Sequence, residues 1–170
     1  MKKMNSKKGF TLIELLIVIA IIAVLAVAFL PTLLGAPAKG RDTARIATLQ
    51  KIQKVLVNAN LEGKAYPSTG CVATSFGAAD SAYYLTSFGG ALPADPQNTN
   101  KVVTKGIAAG CTGSYAYENA PGAGFSFGVY AKMERQASGN TSCAKIAASS
   151  TDMTTAPTTD ADSCYAVLTQ

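Results

Sequence analysis

The sequence predicts an α+β fold: a long N-terminal helix, transmembrane then amphipathic, packed on a small antiparallel β-sheet with a disulfide-closed C-terminal loop. Three observations carry this expectation. An unbroken apolar run from Leu15 to Leu30 follows a lysine-bearing leader. A second apolar pattern, Ile46, Leu49, Ile52, Leu56 and Ala59, then recurs at helical spacings of three or four. From Tyr66 onward the chain changes to Gly, Ser, Thr and Asn with short aromatic bursts. The expected divisions are a leader at 1–9, a transmembrane half-helix at 10–38, an amphipathic half-helix at 39–63 and an extracytoplasmic β domain at 64–170.

The leader holds Lys2, Lys3, Lys7 and Lys8 and no acid. That charge keeps its end on the cytoplasmic side and sends the remainder across the membrane. After Glu14 no charge appears until Lys39. At about 1.5 Å per helical residue, Leu15 to Ala38 can cross a hydrocarbon core of about 30 Å. Ala36-Pro37-Ala38 offers an A-x-A-like signal-peptide site, but the apolar run exceeds the usual h-region of about 7–15 residues. A plain single-pass anchor explains the length, yet neither Gly9-Phe10 nor Glu14. A carboxylate in a membrane segment costs roughly 2.5–3.5 kcal/mol and usually has a functional partner. A cut after Gly9 would supply one, because Phe10 would gain a free α-amino group.

The amphipathic half places Lys51 and Lys54 off its apolar stripe. Glu62-Gly63 and then Tyr66-Pro67 end it. Between the two halves, Gly35-Ala36-Pro37-Ala38-Lys39-Gly40 is expected to kink or unwind at Pro37, with Asp42 capping a restarted helix. A stretchable joint and a simple bend both fit that segment. The loose cluster of Lys39, Arg41 and Arg45 reads as the helix emerging at the lipid headgroups.

In the C-terminal domain, Asp80 to Phe88 reads as one or two helical turns before Gly89-Gly90. Leu92-Pro93-Ala94-Asp95-Pro96 is a rigid connector. Ser114–Glu118 and Phe125–Glu134 read as an antiparallel hairpin, and Cys164–Leu168 as a last short strand. Asn140 to Ser163, rich in Ser, Thr and Ala, reads as an exposed loop, and Asn140-Thr141-Ser142 matches a common glycosylation sequon. Cys71, Cys111, Cys143 and Cys164 all follow the anchor. Even parity in an exported domain favours disulfides, and four cysteines allow three connectivities. Sequential pairing, Cys71–Cys111 and Cys143–Cys164, crosses no chain.

Charge and composition exclude more than they assign. Removing the four leader lysines from the 15 basic residues leaves 11 against 10 acidic ones, so no nucleic-acid partner is expected from charge. Histidine and tryptophan are absent, which removes the usual general base and the usual zinc ligand. No catalytic or phosphate-cradling motif is present, so no enzymatic activity and no cofactor are expected.

The string Gly9-Phe10-Thr11-Leu12-Ile13-Glu14 with its apolar run resembles the N-terminus of type IV pilins and of their relatives, the pseudopilins of type II secretion and DNA uptake. The resemblance covers about the first thirty residues. It implies that a prepilin peptidase cuts between Gly9 and Phe10, and that the new Phe10 amine is N-methylated. Glu14 would then pair with the Phe10 amine of a neighbouring copy as a helical homo-oligomeric filament grows. An assembly ATPase and a platform protein are implied partners, and the membrane holds the chain beforehand. Pro31 falls where many type IV pilins carry a kinking proline. Cys143–Cys164 resembles the C-terminal disulfide loop of such chains. Residues 92–134 are similar to the small sheet domain of major-type pseudopilins, which often hold calcium in a C-terminal loop. Asp152, Asp160 and Asp162 are the candidate oxygen ligands here, without EF-hand spacing. The implied role is a filament subunit of a type IV pilus for adhesion, motility or DNA uptake. The alternatives are a major-type pseudopilin of type II secretion and a membrane-anchored binding domain that never assembles. The implied location is the cytoplasmic membrane before assembly and an extracellular or periplasmic filament afterwards.

Overall fold

The computed structural model describes residues 9–78, 80–104, 107–119, 126–148 and 163–169. The chain separates into two compact units, residues 1–37 and 38–170. The first is built around helix α1, Leu12–Leu34. Pro31 lies within its helical run.

Helix α2 spans Ala36–Leu61. Gly35 alone leaves helical geometry between the two helices, a narrower break than the expected unwinding across Gly35–Gly40. Pro37 is in the first turn of α2, where a backbone N–H would have no helical acceptor and its absence costs little. The far end closes as a Schellman motif: Gly63, at φ 72°, donates to the Asn60 carbonyl and Lys64 to that of Ala59. A residue with a Cβ would be strained at Gly63, which is why the glycine there is a stop signal.

A five-stranded antiparallel sheet organises the second unit, in the order β1 (Gly70–Cys71), β4 (Ala116–Asn119), β5 (Phe127–Lys132), β7 (Ser163–Thr169) and β6 (Thr141–Ser142). β4 and β5 form the expected hairpin, with Tyr117 opposite Val129. β7 pairs along the whole of β5, from Phe127 opposite Thr169 to Lys132 opposite Cys164. Strand alternation then sorts side chains between two faces. Tyr117, Phe127, Val129 and Ala131 join Leu49, Ile52, Leu56 and Ala59 of α2 in one core. Helices α3 (Val72–Ala78) and α4 (Ser81–Phe88) complete it with Phe76, Tyr84 and Phe88.

The opposite face carries Ala116, Tyr130, Cys164 and Ala166, covered by Val102, Cys111 and Ile146. These come from a ribbon of β2 (Lys101–Thr104) and β3 (Ile107–Thr112) and from helix α5 (Cys143–Ala148). Neither was expected. Asn140–Ser163 is thus not wholly an exposed loop: Thr141, Ser142 and Ile146 are buried. The Asn140 amide is also occupied, donating to the Ala166 carbonyl at 2.9 Å and accepting from its N–H at 2.8 Å. Disulfides join Cys71 to Cys111 and Cys143 to Cys164, across 40 and 21 residues. The first ties β1 to β3 and the second ties α5 to β7. The calcium candidates Asp152, Asp160 and Asp162 lie outside the described residues.

Candidate functional site

Leu12–Leu30 is the one stretch among the described residues long and apolar enough to cross a membrane. Its side chains have no cover in the isolated chain: Leu15, Ile19, Ile22 and Leu30 are 58 to 59% exposed. Such a surface needs lipid or other protein around it. Phe10, at the head of this segment, is 89% exposed.

Glu14 is held by the residue three positions before it. Its Oε2 accepts from the Thr11 hydroxyl at 2.6 Å and from the Thr11 N–H at 2.8 Å, while the Glu14 N–H donates to Thr11 Oγ1 at 3.3 Å. Thr11 immediately precedes α1, so Thr11-Leu12-Ile13-Glu14 is a capping box. Two consequences follow for the chemistry. The Glu14 carboxylate already has two donors, which lowers the cost of placing it in apolar surroundings. It also has free acceptor capacity, since an ionised carboxylate takes about four hydrogen bonds. A neighbouring ammonium group can therefore approach Glu14 without breaking the cap. Thr11 is the residue that motif reading passed over, although the T-x-x-E spacing at a helix start was visible.

A second polar site lies in the early turns of α2. The Arg45 side chain is fully buried, with Nε and Nη2 bonded to the two Asp95 carboxylate oxygens at 2.7 and 2.9 Å. Its Nη1 reaches Asp42 at 2.8 Å and Glu134 at 2.6 Å. Arg41 makes a two-pronged pair with Glu134 at 2.7 and 2.5 Å. Desolvation opposes the Arg45 charge, but its hydrogen bonds to the carboxylates of Asp95, Glu134 and Asp42 outweigh it and raise its pKa. The Arg41 hydrogen bond, working against desolvation and assisted by Arg45, holds the Glu134 carboxyl down at about 2. Asp42 is not a cap for a restarted helix: it is buried inside α2 and accepts from the N–H groups of Glu134 and Arg135. Arg41 and Arg45 likewise do not stand as a free cationic cluster with Lys39, because half-buried Glu134 engages Arg41 and buried Asp42 and Asp95 engage Arg45. The signal was in the spacing. Asp42 and Arg45 continue the stripe of Leu49, Ile52, Leu56 and Ala59, so both had to be buried and therefore paired.

Among the described residues no three His, Cys, Asp or Glu side chains are grouped to hold a metal ion. What the arrangement provides is an apolar rod with one capped carboxylate at its head, and a separate domain whose helix is fixed by ion pairs.

Comparison with known proteins agrees with this division. Residues 4–30 match the prokaryotic N-terminal methylation motif. The chain is 43% identical over 74 residues to the type IV wide pilus major component PilA4 of Thermus thermophilus, covering 44% of this chain and 56% of that protein. It is 33% identical over 69 residues to the type II secretion system core protein G of Vibrio cholerae, covering 41% of this chain and 47% of that protein. A fimbrial protein of Pseudomonas aeruginosa is 38% identical over 66 residues, 39% of this chain and 43% of its own length. The chain thus spans about half the length of the curated relatives it matches. No solved structure matches it significantly. Over its methylation motif and about two fifths of its length, this chain is thus similar both to pilus components and to a type II secretion core protein.

Proposed function

We propose that this protein is a structural subunit of a type IV pilus-like filament, stored as a single-pass membrane protein and polymerised through α1. The observation that carries the reading is the combination at residues 9–30: a Gly9-Phe10 junction inside the methylation motif, Glu14 already capped but able to accept more, and an apolar helix left exposed among the described residues. An apolar surface satisfied by lipid is equally satisfied by identical helices. A prepilin peptidase cutting after Gly9 would free the Phe10 amine for methylation and for pairing with Glu14 of the neighbour. An assembly ATPase and a platform protein would supply the work of extraction. Pro31 and Pro37, either side of Gly35, are the positions at which the helical segment would bend. The major-type pseudopilin is the second reading, favoured by one feature: Asp95 of the Leu-Pro-x-Asp-Pro connector anchors Arg45.

Two substitutions at Glu14 test the proposal. Glu14→Val removes cap and charge together, whereas Glu14→Gln keeps an oxygen for Thr11 and loses only the charge. Both variants should insert and lose the leader, giving a chain that begins at Phe10 by N-terminal sequencing. Both should nevertheless fail to yield sheared filaments visible by electron microscopy. Normal filament yield from Glu14→Gln would show that the charge is not an assembly element, and the non-assembling anchor would then be the better reading. Filaments confined to a secretion machine, with none on the cell surface, would favour the pseudopilin.

A further inference from the structure

Near-neutrality of the sequence conceals where its free charge lies. Asp42, Asp95 and Glu118 are buried, and Glu134 is taken up by Arg41 and Arg45. Lys39, Lys51 and Lys54 are exposed and have no acidic partner among the described residues. All three lie on α2, whose sole acid is the buried Asp42. Glu62, just past that helix, accepts from the Tyr83 hydroxyl of α4 at 3.3 Å.

At about 100° per residue the three lysines fall within about 120° of arc, opposite the side that buries Asp42, Arg45, Leu49, Ile52 and Leu56. Exposed Thr43, Ala47 and Gln50 lie between them. The Lys51 ammonium sits 5.6 Å from the centre of the Phe88 ring, which marks one border of this face. Leu61, 79% exposed, ends the same face. Against the same face of a second copy, lysine would meet lysine, which disfavours that contact. The surface this face fits is anionic, broad and close at hand.

A membrane leaflet is such a surface. Leu12–Leu30 is long and apolar enough to cross the membrane. Helix α2 begins at Ala36, and Gly35 alone leaves helical geometry before it. A turn at Gly35 would lay the lysine face along the leaflet. With α2 held away from the leaflet, only Lys39 would be near it. Lys51 and Lys54 stand roughly 18 and 22 Å beyond Lys39 along the helix, more than two screening lengths of about 8 Å. Tethering through α1 removes most of the cost of finding the surface. An anionic leaflet attracts each nearby lysine by about a fivefold factor, so three favour the laid-down state on the order of a hundredfold. We propose that, in the membrane-held chain, the outward face of α2 lies on the anionic headgroups of the leaflet it emerges from, through Lys39, Lys51 and Lys54. Leu61 meets the interface at the far end of that face. The contact rests on the membrane-storage part of the reading above.

The test uses the full chain in nanodiscs of phosphatidylcholine alone or with about one third phosphatidylglycerol, which supplies the anionic surface. Acetylation is timed lysine by lysine with mass spectrometry. Lys51 and Lys54 should label at least about fivefold more slowly on the anionic discs, and high salt should restore their rates. Lys101, exposed on the ribbon that covers the opposite sheet face, should label alike on both. The chain has no tryptophan, so Leu61→Trp supplies a single reporter. Brominated phosphatidylglycerol should quench its emission, and adding Lys51→Glu with Lys54→Glu should abolish that quenching. Equal rates for Lys51 and Lys54 on the two discs would overturn the proposal. So would equal slowing of Lys101, since no face would then be preferred. Protection of Lys51 and Lys54 by soluble heparin but not by the anionic discs would overturn it in favour of a soluble polyanion. In each of these cases the Glu14 variants still decide filament assembly separately. A chain that alkaline carbonate strips from membranes would overturn both readings.

Discussion

The two faces of the central sheet are covered by different means. Toward α2 the cover is bulk: Phe76 lies 5.0 Å from Tyr84 and 5.2 Å from Tyr117, ring centre to ring centre, beside Leu49, Ile52 and Leu56. An ion network then fixes the early turns of the helix. On the far face a two-stranded ribbon and a six-residue helix lie over a much smaller core. A helix that short is not stable by itself in water. There the cover is tied on by Cys71–Cys111 and Cys143–Cys164. Burial holds the α2 side, and covalent bonds hold the other.

The largest expected effect tests the α2 side. Arg45→Met leaves Asp42 and Asp95 buried without their cation, and breaking a buried pair in this way typically costs about 3–5 kcal/mol. Urea unfolding of the full chain in detergent micelles, followed by circular dichroism, should show that loss. Arg45→Lys keeps the charge but cannot make the two-pronged contact with Asp95, so it should fall between the two. Equal stability of Arg45→Met and the unaltered chain would reduce the network to decoration and leave the apolar core as the only hold on α2.

Removing the far-side tie should cost less and act locally. In the chain-entropy treatment, closing the loop between Cys143 and Cys164 is worth roughly 3 kcal/mol. The double variant Cys143→Ser with Cys164→Ser should lose hydrogen-exchange protection over Thr141–Ala148 while α2 keeps its own. If protection of α2 falls equally, the two faces unfold as one unit and the contrast between them fails.

Legibility in the sequence divides along the same line. The apolar run, the Gly9–Glu14 string, the α2 stripe and its Gly63 stop were readable because each follows a strong local rule. The β4–β5 hairpin was readable from its aromatic alternation. The β2–β3 ribbon was not, since Ile107-Ala108-Ala109-Gly110 presents small residues with no alternating pattern. α3 and α5, seven and six residues long, owe their existence to packing and to a neighbouring cystine, and periodicity over so few positions is no signal. Asp42 was misread because an acid near a glycine and a proline suggests a cap. Its buried role depends on Glu134 and Arg135, 92 and 93 residues away, which local reading cannot supply.

Acid should weaken the α2 side through Glu134. Its carboxyl titrates at about 2 in the fold against an ordinary 4.5, so its pairing stabilises fully above the ordinary value. As pH falls through that window the unfolded chain takes up its proton first, and the contribution is lost on reaching the folded value. The full linkage would be about 3 kcal/mol, and partial solvation of the carboxylate should reduce it to about 2. Glu134→Gln should start less stable at neutral pH and lose less on acidification, measured as urea midpoints stepped down through the window. Parallel pH profiles for the two proteins would place the acid sensitivity at other carboxylates.

The smallest effects should have opposite signs on the two faces. Tyr117 points into the α2 core, where its buried hydroxyl has no hydrogen-bond partner among the described residues. Tyr130, on the next strand, points to the far face and donates to buried Glu118. Burial raises the pKa of both phenols, with the nearby Glu118 charge adding to the effect at Tyr130. An unpaired buried hydroxyl costs roughly 1–3 kcal/mol, so Tyr117→Phe should stabilise the chain by about 1 kcal/mol. Tyr130→Phe removes a donor from a buried carboxylate and should destabilise it by about 1–2 kcal/mol. The two substitutions delete the same atom from neighbouring strands, so differences in area or helix content cannot account for opposite signs. Thermal melts of both variants beside the unaltered chain decide it. Two losses of similar size would mean that Tyr117 has a partner after all, and that the α2 side is held by polar contacts as well as by bulk.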